Sequence, residues 1–168
     1  MTIETLQRDP QIIQALAQLL VDTVAARGSI GFMHPVNMDT AKAFWKSAMD
    51  AATRDERVIL GAVEDKTLIG TVTLILNCPP NQPHRAEIAK MMTRLDRRGQ
   101  GVGKALVQAA EDIAAARGRT LINLDTAEEE GAAGFYESLG YQKVGIIPDY
   151  ALKPYGGLTG TVIYWKRL

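Results

Sequence analysis

Apolar and polar positions change period several times along the chain, and each change marks an element. From Pro10 to Ala26, the residues Ile12, Ile13, Leu16, Leu19, Leu20 and Val24 recur at helical spacing. Asp9 stands where a cap belongs, Pro10 suits a first turn, and Gly28 follows the end. Gly31 to Asn37 reads as a loop. Asp39 is placed to cap a second helix running to Thr53, with Ala43, Phe44, Ala48 and Met49 on one face. Val58 to Val63 and Leu68 to Leu76 are rich in β-branched residues and flank Glu64-Asp65-Lys66, which predicts a hairpin. Asn77 to His84 contains three prolines and cannot be a strand interior. Ala86 to Thr93 predicts the next strand, and Leu95 to Gly101 a turn rich in Arg and Gly. Val102 to Arg117 carries the clearest helical stripe (Val102, Leu106, Ala109, Ala110, Ile113), stopped by Gly118. Thr120 to Asp125 is short and nearly all apolar, as a buried parallel strand should be. Glu129 to Leu139 reads as a helix. Tyr141 to Ile147 and Thr161 to Trp165 read as strands, joined by a loop holding Pro148, Pro154, Gly156, Gly157 and Gly160.

A strand, a helix and a strand from Ala86 to Asp125 predict one right-handed parallel crossover. The other neighbours read as antiparallel. The expected fold is therefore α/β: a mixed, mostly antiparallel sheet with one parallel pair, flanked by helices. The 168 residues show no repeat or linker, so one domain over 1–168 is expected. With 46% hydrophobic and 23% charged residues, intrinsic disorder is excluded. Nineteen basic residues balance nineteen acidic ones, which removes any global pull toward nucleic acid or an anionic membrane. Cys78 is the single cysteine, and His34 and His84 stand alone, so neither a disulfide nor a metal site is expected. No apolar run approaches the roughly 18 residues of a membrane span, and the start does not read as a signal peptide. The expected compartment is cytoplasmic.

Arg98-Gly99-Gln100-Gly101-Val102-Gly103-Lys104 lies between a strand and the strongest helix. A helix start offers unpaired N–H groups and a positive dipole end, and glycine lets an anion approach the backbone. A P-loop is excluded, because Arg98 and Ala105 stand where it needs Gly and Ser or Thr. The dinucleotide fingerprint also fails, because Lys104 or Leu106 occupies its last glycine position. What remains is Arg-x-x-Gly-x-Gly, which could also be a glycine-rich turn without a ligand.

This pattern resembles the acetyl-CoA pyrophosphate loop of the GNAT N-acetyltransferase superfamily. Ala132 to Tyr141, with its Phe135-Tyr136 pair and closing Gly140, resembles the later helix of that family. Gly31-Phe32-Met33, Arg85-Ala86-Glu87-Ile88, Leu124-Asp125-Thr126 and the tail from Val144 to Tyr164 are similar to the tabtoxin-resistance acetyltransferases. The resemblance implies a GNAT fold with acetyl-CoA as cosubstrate, bound in a V-shaped cleft where two parallel strands splay. It implies that the backbone of Met91, Met92 and Thr93 pairs with the pantetheine arm. It implies that Arg98, Gly99, Gln100, Gly101, Val102, Gly103 and Lys104 hold the pyrophosphate. Three departures stand out. Leu95 replaces a frequent Pro, Glu129 stands where a cofactor-contacting Asn is common, and Met91-Met92-Thr93 replaces Leu-x-Val.

Acetylating an amine requires a neutral nitrogen. An α-amine has a pKa of about 8 and an alkylamine about 10.4, so a base must take a proton. Glu87 is acidic within an apolar strand and by alternation shares a face with Ala89 and Met91. Asp125 closes the neighbouring strand, where α/β sheets place ligands. In the tabtoxin-resistance branch, acidic residues at these positions are the proposed catalytic pair. Glu87, acting through water, is the leading general-base candidate. Glu87 could instead be a salt-bridge partner of Arg85, and Asp125 an N-cap. Tyr136 matches the family tyrosine that points at the CoA sulfur, with packing beside Phe135 as the alternative. Tyr150 and Tyr155 are expected in a loop that, with Gly31–Asn37, walls the acceptor side. The expected reaction is direct attack by a small-molecule primary amine, of amino-acid-like or toxin type, on the thioester. A backbone N–H near Met91 or Met92 is expected to hold the oxyanion. Two other readings stay open: a non-catalytic acyl-CoA-binding module, and acetylation of protein amines. No nucleic-acid or membrane partner is expected, and a homodimer remains open.

Overall fold

The computed structural model describes residues 1–128 and 133–168. Helix α1 spans Pro10–Ala25, α2 Met38–Thr53, α3 Val102–Ala116 and α4 Ala133–Ser138. The strands are β1 Thr2–Thr5, β2 Arg57–Glu64, β3 Thr67–Ile75, β4 Arg85–Thr93, β5 Leu121–Ala127, β6 Gln142–Leu152 and β7 Leu158–Arg167. These described strands form one sheet in the order β1-β2-β3-β4-β5-β7-β6. Among the described strands, only the β4–β5 pair is parallel. The expected α/β fold, a mixed, mostly antiparallel sheet with one parallel pair flanked by helices, is the fold observed.

The sheet divides the core in two. On one face Val58, Leu60, Val72, Leu74, Ala86, Ile88, Ile122 and Leu124 pack against Leu106, Val107 and Ala110 of α3. On the other, Ile59 and Met92 pack against Leu16, Leu20, Trp45 and Met49 of α1 and α2. Trp45, Leu16 and Leu20 are wholly buried, each contributing on the order of 2 kcal/mol of transfer free energy.

Local chemistry fixes the helix ends. Asp9 Oδ1 accepts from the N–H groups of Gln11 at 2.7 Å and Ile12 at 3.2 Å, with Pro10 in the first turn. The α2 cap is Asn37 rather than Asp39. Asn37 has the extended backbone a cap needs and its Oδ1 accepts from the Thr40 N–H at 2.8 Å. Asp39 lies inside the first turn, where its charge favours the dipole.

The C-terminal hairpin departs most from expectation. Pro148 and Tyr150 lie within β6, not in a loop, and the turn shrinks to Lys153–Gly157. Pro148 is tolerated because β6 is an edge strand whose register skips between Ile147 and Ala151. Strand β1 was not expected: its four residues, Thr-Ile-Glu-Thr, form an exposed edge with a single apolar side chain. The start of the helix expected from Glu129 falls outside the described residues, as does Glu129 itself.

Candidate active site

Strands β4 and β5 pair at Arg85–Leu121, Ala86–Ile122 and Glu87–Asn123, and there the pairing ends. Yet β4 continues to Thr93 and β5 to Ala127. Past Glu87, β4 turns the polar edge of its backbone toward a gap instead of toward a neighbour. That leaves hydrogen-bonding groups for an extended amide-bearing arm. The residues expected to pair with such an arm, Met91, Met92 and Thr93, lie on this stretch.

A bulge sits in the same stretch. Thr73 pairs with Ala89 and Thr71 with Met92, so two β4 residues oppose one on β3. Lys90, at φ +51, is the residue whose backbone absorbs the insertion. The bulge overturns the expected alternation. Glu87 and Ala89 share the α1–α2 face with Met92, whereas Met91 turns to the α3 face.

The gap runs toward the N-terminus of α3. Gly101 caps this helix at φ +82 with no side-chain cap, and Gly99 is at φ +73. A Cβ placed on either glycine would meet nothing within 4 Å. The first helical bond runs from the Ala105 N–H to the Gly101 carbonyl at 3.0 Å. The N–H groups of Val102, Gly103 and Lys104 thus have no partner within the helix. Arg94 and Arg97 are engaged by Asp96 and Glu64, while Arg98 and Lys104 remain exposed beside the glycines. The Gln100 amide is tied to the Asp96 carbonyl at 2.9 Å. An anion of pyrophosphate size fits these open donors, so the residues present suit a coenzyme tail.

Two close approaches set the helix in place. A Cβ on Gly70 would lie 2.9 Å from Val102 Cγ1 and 3.0 Å from the Met92 carbonyl, so α3 can seat on β3 only over a glycine. A Cβ on Gly103 would lie 3.2 Å from the Phe135 ring, so α4 packs directly on the first turn of α3.

Glu87, Asn123 and Asp125 share the α1–α2 face at the point where the strands part. Glu87 does pair with Arg85, at 3.5 Å, and Arg85 also donates to Asn123 Oδ1 and Gln82 Oε1. Even so, its side chain stays 34% exposed, leaving it open to water. Asp125 is not an N-cap. Strand β5 runs on to Ala127, and the Thr161 hydroxyl donates to Asp125 Oδ2 at 2.9 Å.

Tyr136 is buried on the opposite face among Phe135, Tyr141 and Tyr164, with ring centroids 5.0–5.9 Å away. Burial, helped by the negative charge of Asp125, pushes its phenol up to about 12. At neutral pH it can donate a proton but not accept one.

Lys90 also belongs to the α1–α2 face. Its half-buried ammonium lies 3.2 Å from where a Gly31 Cβ would stand and 5.9 Å from the Phe44 ring centroid. Burial lowers its pKa, while Asp125 and Glu87 oppose that shift. The sequence signal was present, a charged residue in an apolar strand, but only the bulge turns it into this gap.

The β6–β7 turn and the loop between α1 and α2 are clamped together. The Tyr155 ring stacks on His34 at 4.2 Å, its hydroxyl donates to the Ala25 carbonyl at 2.9 Å, and the Arg27 guanidinium lies 4.6 Å from its centroid. The His34 N–H donates to the Pro154 carbonyl at 2.8 Å. The β6–β7 turn therefore rests on the loop between α1 and α2.

A sheet that parts beside a glycine-bared helix entrance defines a scaffold for binding an acyl-coenzyme. The chain belongs to the acetyltransferase (GNAT) family, whose sequence profile matches residues 14–141. Human N-acetyltransferase 8B is 33% identical over 86 residues, which is 50% of this chain and 38% of that protein. The match thus spans well under half the length of this curated relative. Among solved structures, the ribosomal-protein-alanine N-acetyltransferase of Brucella melitensis superposes with a TM-score of 0.85 at 18% identity, covering 100% of both chains. The protein yncA of Salmonella typhimurium, solved with its cofactor acetyl-CoA, superposes with a TM-score of 0.82 at 18% identity, covering 100% of this chain and 94% of its own. Likeness at this identity speaks to the fold.

Proposed function

We propose that this chain is an acetyl-CoA-dependent N-acetyltransferase acting on the primary amine of a small molecule. The observation that carries the reading is the strand pair that parts after Glu87 and Asn123, beside the uncapped entrance of α3. In this reading, Arg98 to Lys104 hold the diphosphate and the β4 backbone from Met91 to Thr93 aligns the pantetheine arm. The amine attacks the thioester carbonyl, the new C–N bond forms, and the C–S bond breaks. A backbone N–H at Met91 or Met92 holds the developing oxyanion. Glu87 receives the ammonium proton through water, and Asp125 helps to seat the cationic acceptor. Tyr136, kept protonated by its high phenol pKa, is placed to donate a hydrogen bond to the departing thiolate, which takes its proton from solvent.

The clamp between Tyr155 and the α1–α2 loop supports a small acceptor over a protein chain, because an extended peptide would need that side open. The motif segments around Gly31, Arg85 and Asp125 support a place beside the tabtoxin-resistance acetyltransferases and an amino-acid-like acceptor. The test is thiol release from acetyl-CoA with a panel of amines, alongside calorimetry with coenzyme A. Binding with thiol release supports the reading. Binding without turnover on any amine leaves a non-catalytic acyl-CoA module.

A second copy of the chain is part of this reading. Val144, Ile146, Ile147, Tyr150 and Leu152 are 40–66% exposed along β6, whose outer edge has no partner among the described strands. Water-exposed apolar edges of this length invite pairing with a like edge. Sedimentation should give a two-chain mass, and Ile147→Glu with Leu152→Glu should reduce it to one. A single-chain mass for the unaltered protein excludes the dimer.

A further inference from the structure

Acceptor chemistry is legible in the charges around the gap. On the described parts of β2, β4 and β5, the charged and amide side chains of the α1–α2 face nearest the parting point are Arg57, Arg85, Glu87, Lys90, Asn123 and Asp125. Three cations thus face two carboxylates. Arg85 is committed to Glu87, Asn123 and Gln82. Lys90 forms no direct ion pair with either carboxylate among the described residues, although both act on it electrostatically. Its ammonium lies 3.2 Å from where a Gly31 Cβ would stand, a space that a glycine leaves to it. A trap built only to hold a cationic amine would not place a half-buried lysine there. Removing an ammonium from water is costly unless an anion meets it.

We propose that Lys90 is a specificity residue that receives an anionic group of the acceptor, so that the substrate class is a zwitterionic amine of the α-amino-acid type. The acceptor amine faces Glu87 and Asp125, and its carboxylate faces the Lys90 ammonium beside Gly31. The bulge gives this arrangement its geometry. Without the extra residue, position 90 would alternate onto the α3 face and the lysine would be lost to the site. Arg57, whose Nε is buried without a hydrogen-bond partner among the described residues, lies close enough to act on Lys90 and adds positive potential at this face. This inference rests on the acetyl-transfer reading.

The experiment compares the common L-α-amino acids with their carboxamides, which keep the amine and lose the anion. Thiol release from acetyl-CoA is followed for the unaltered protein, Lys90→Met and Lys90→Arg. Coenzyme A binding and melting temperature are measured for each. For the unaltered protein, the best amino acid should have a KM roughly tenfold or more below that of its own amide, as a charge-assisted contact requires. Lys90→Met should raise KM for the acid relative to the amide until the two are equal, and preserve coenzyme binding. Lys90→Arg should restore much of the preference for the acid. Equal KM for acid and amide in the unaltered protein overturns the proposal even if Lys90→Met does not fold. So does an acid preference that survives in Lys90→Met. Turnover confined to amines without an anion defeats this inference alone. Coenzyme binding with no turnover on any amine defeats the acetyl-transfer reading, and this inference with it.

Discussion

Glu87 shows how a side chain can be held by a partner and still stay open to water. Its pairing with Arg85 at 3.5 Å holds the carboxylate in place, while a third of its surface stays open to the water through which it would act. General bases contribute roughly a hundredfold or more to rate. Glu87→Gln should therefore lower kcat/KM by at least about a hundredfold near neutral pH. It should also make the rate climb about tenfold per pH unit, tracking the neutral fraction of the acceptor until the amine's own pKa. Full activity in Glu87→Gln across the pH range would remove the base role. Glu87 and Asp125 were legible from their residue type alone. Lys90 was not, because its importance depends on a bulge that no local pattern announces.

At the scale of the element, the α3 entrance joins a backbone requirement to the proposed binding of the diphosphate. Gly101 sits at φ +82, a conformation that costs a side-chain-bearing residue about 1–2 kcal/mol. Gly101→Ala should lower the melting temperature by a few degrees. Because its methyl would stand in the open space before the first-turn N–H groups, calorimetry should show coenzyme A binding weakened about tenfold. Unchanged affinity in a folded Gly101→Ala protein would mean that the diphosphate is held elsewhere. The glycine spacing, the helix stripe and the stop at Gly118 made this element readable in advance. The end of β4 was read with the wrong face for Met91, because period-two alternation assumes an uninterrupted ladder and Lys90 breaks it.

For the whole molecule, the proposed acceptor side is built by contacts between segments far apart in the chain. Tyr155, from the β6–β7 turn, reaches the loop after α1 through His34, the Ala25 carbonyl and Arg27. Tyr155→Ala should open this clamp. The expected signature is an acceptor KM raised roughly tenfold with the acetyl-CoA KM unchanged, since a stacked and hydrogen-bonded aromatic contributes on the order of 1–2 kcal/mol. If both constants shift together, the clamp shapes the coenzyme cleft as well.

The sequence by itself determined the α/β architecture, the parallel pair, the glycine entrance and the two carboxylates. Each of these depends on local periodicity, on turn chemistry, or on a side chain that cannot be ignored in an apolar strand. Tertiary structure alone decided three things: where β4 and β5 part, which face the residues beyond the bulge present, and how the final hairpin closes over the α1–α2 loop. Those features arise from pairing between distant segments. A strand's residues carry its preference for extension, but not the point at which its neighbour leaves it.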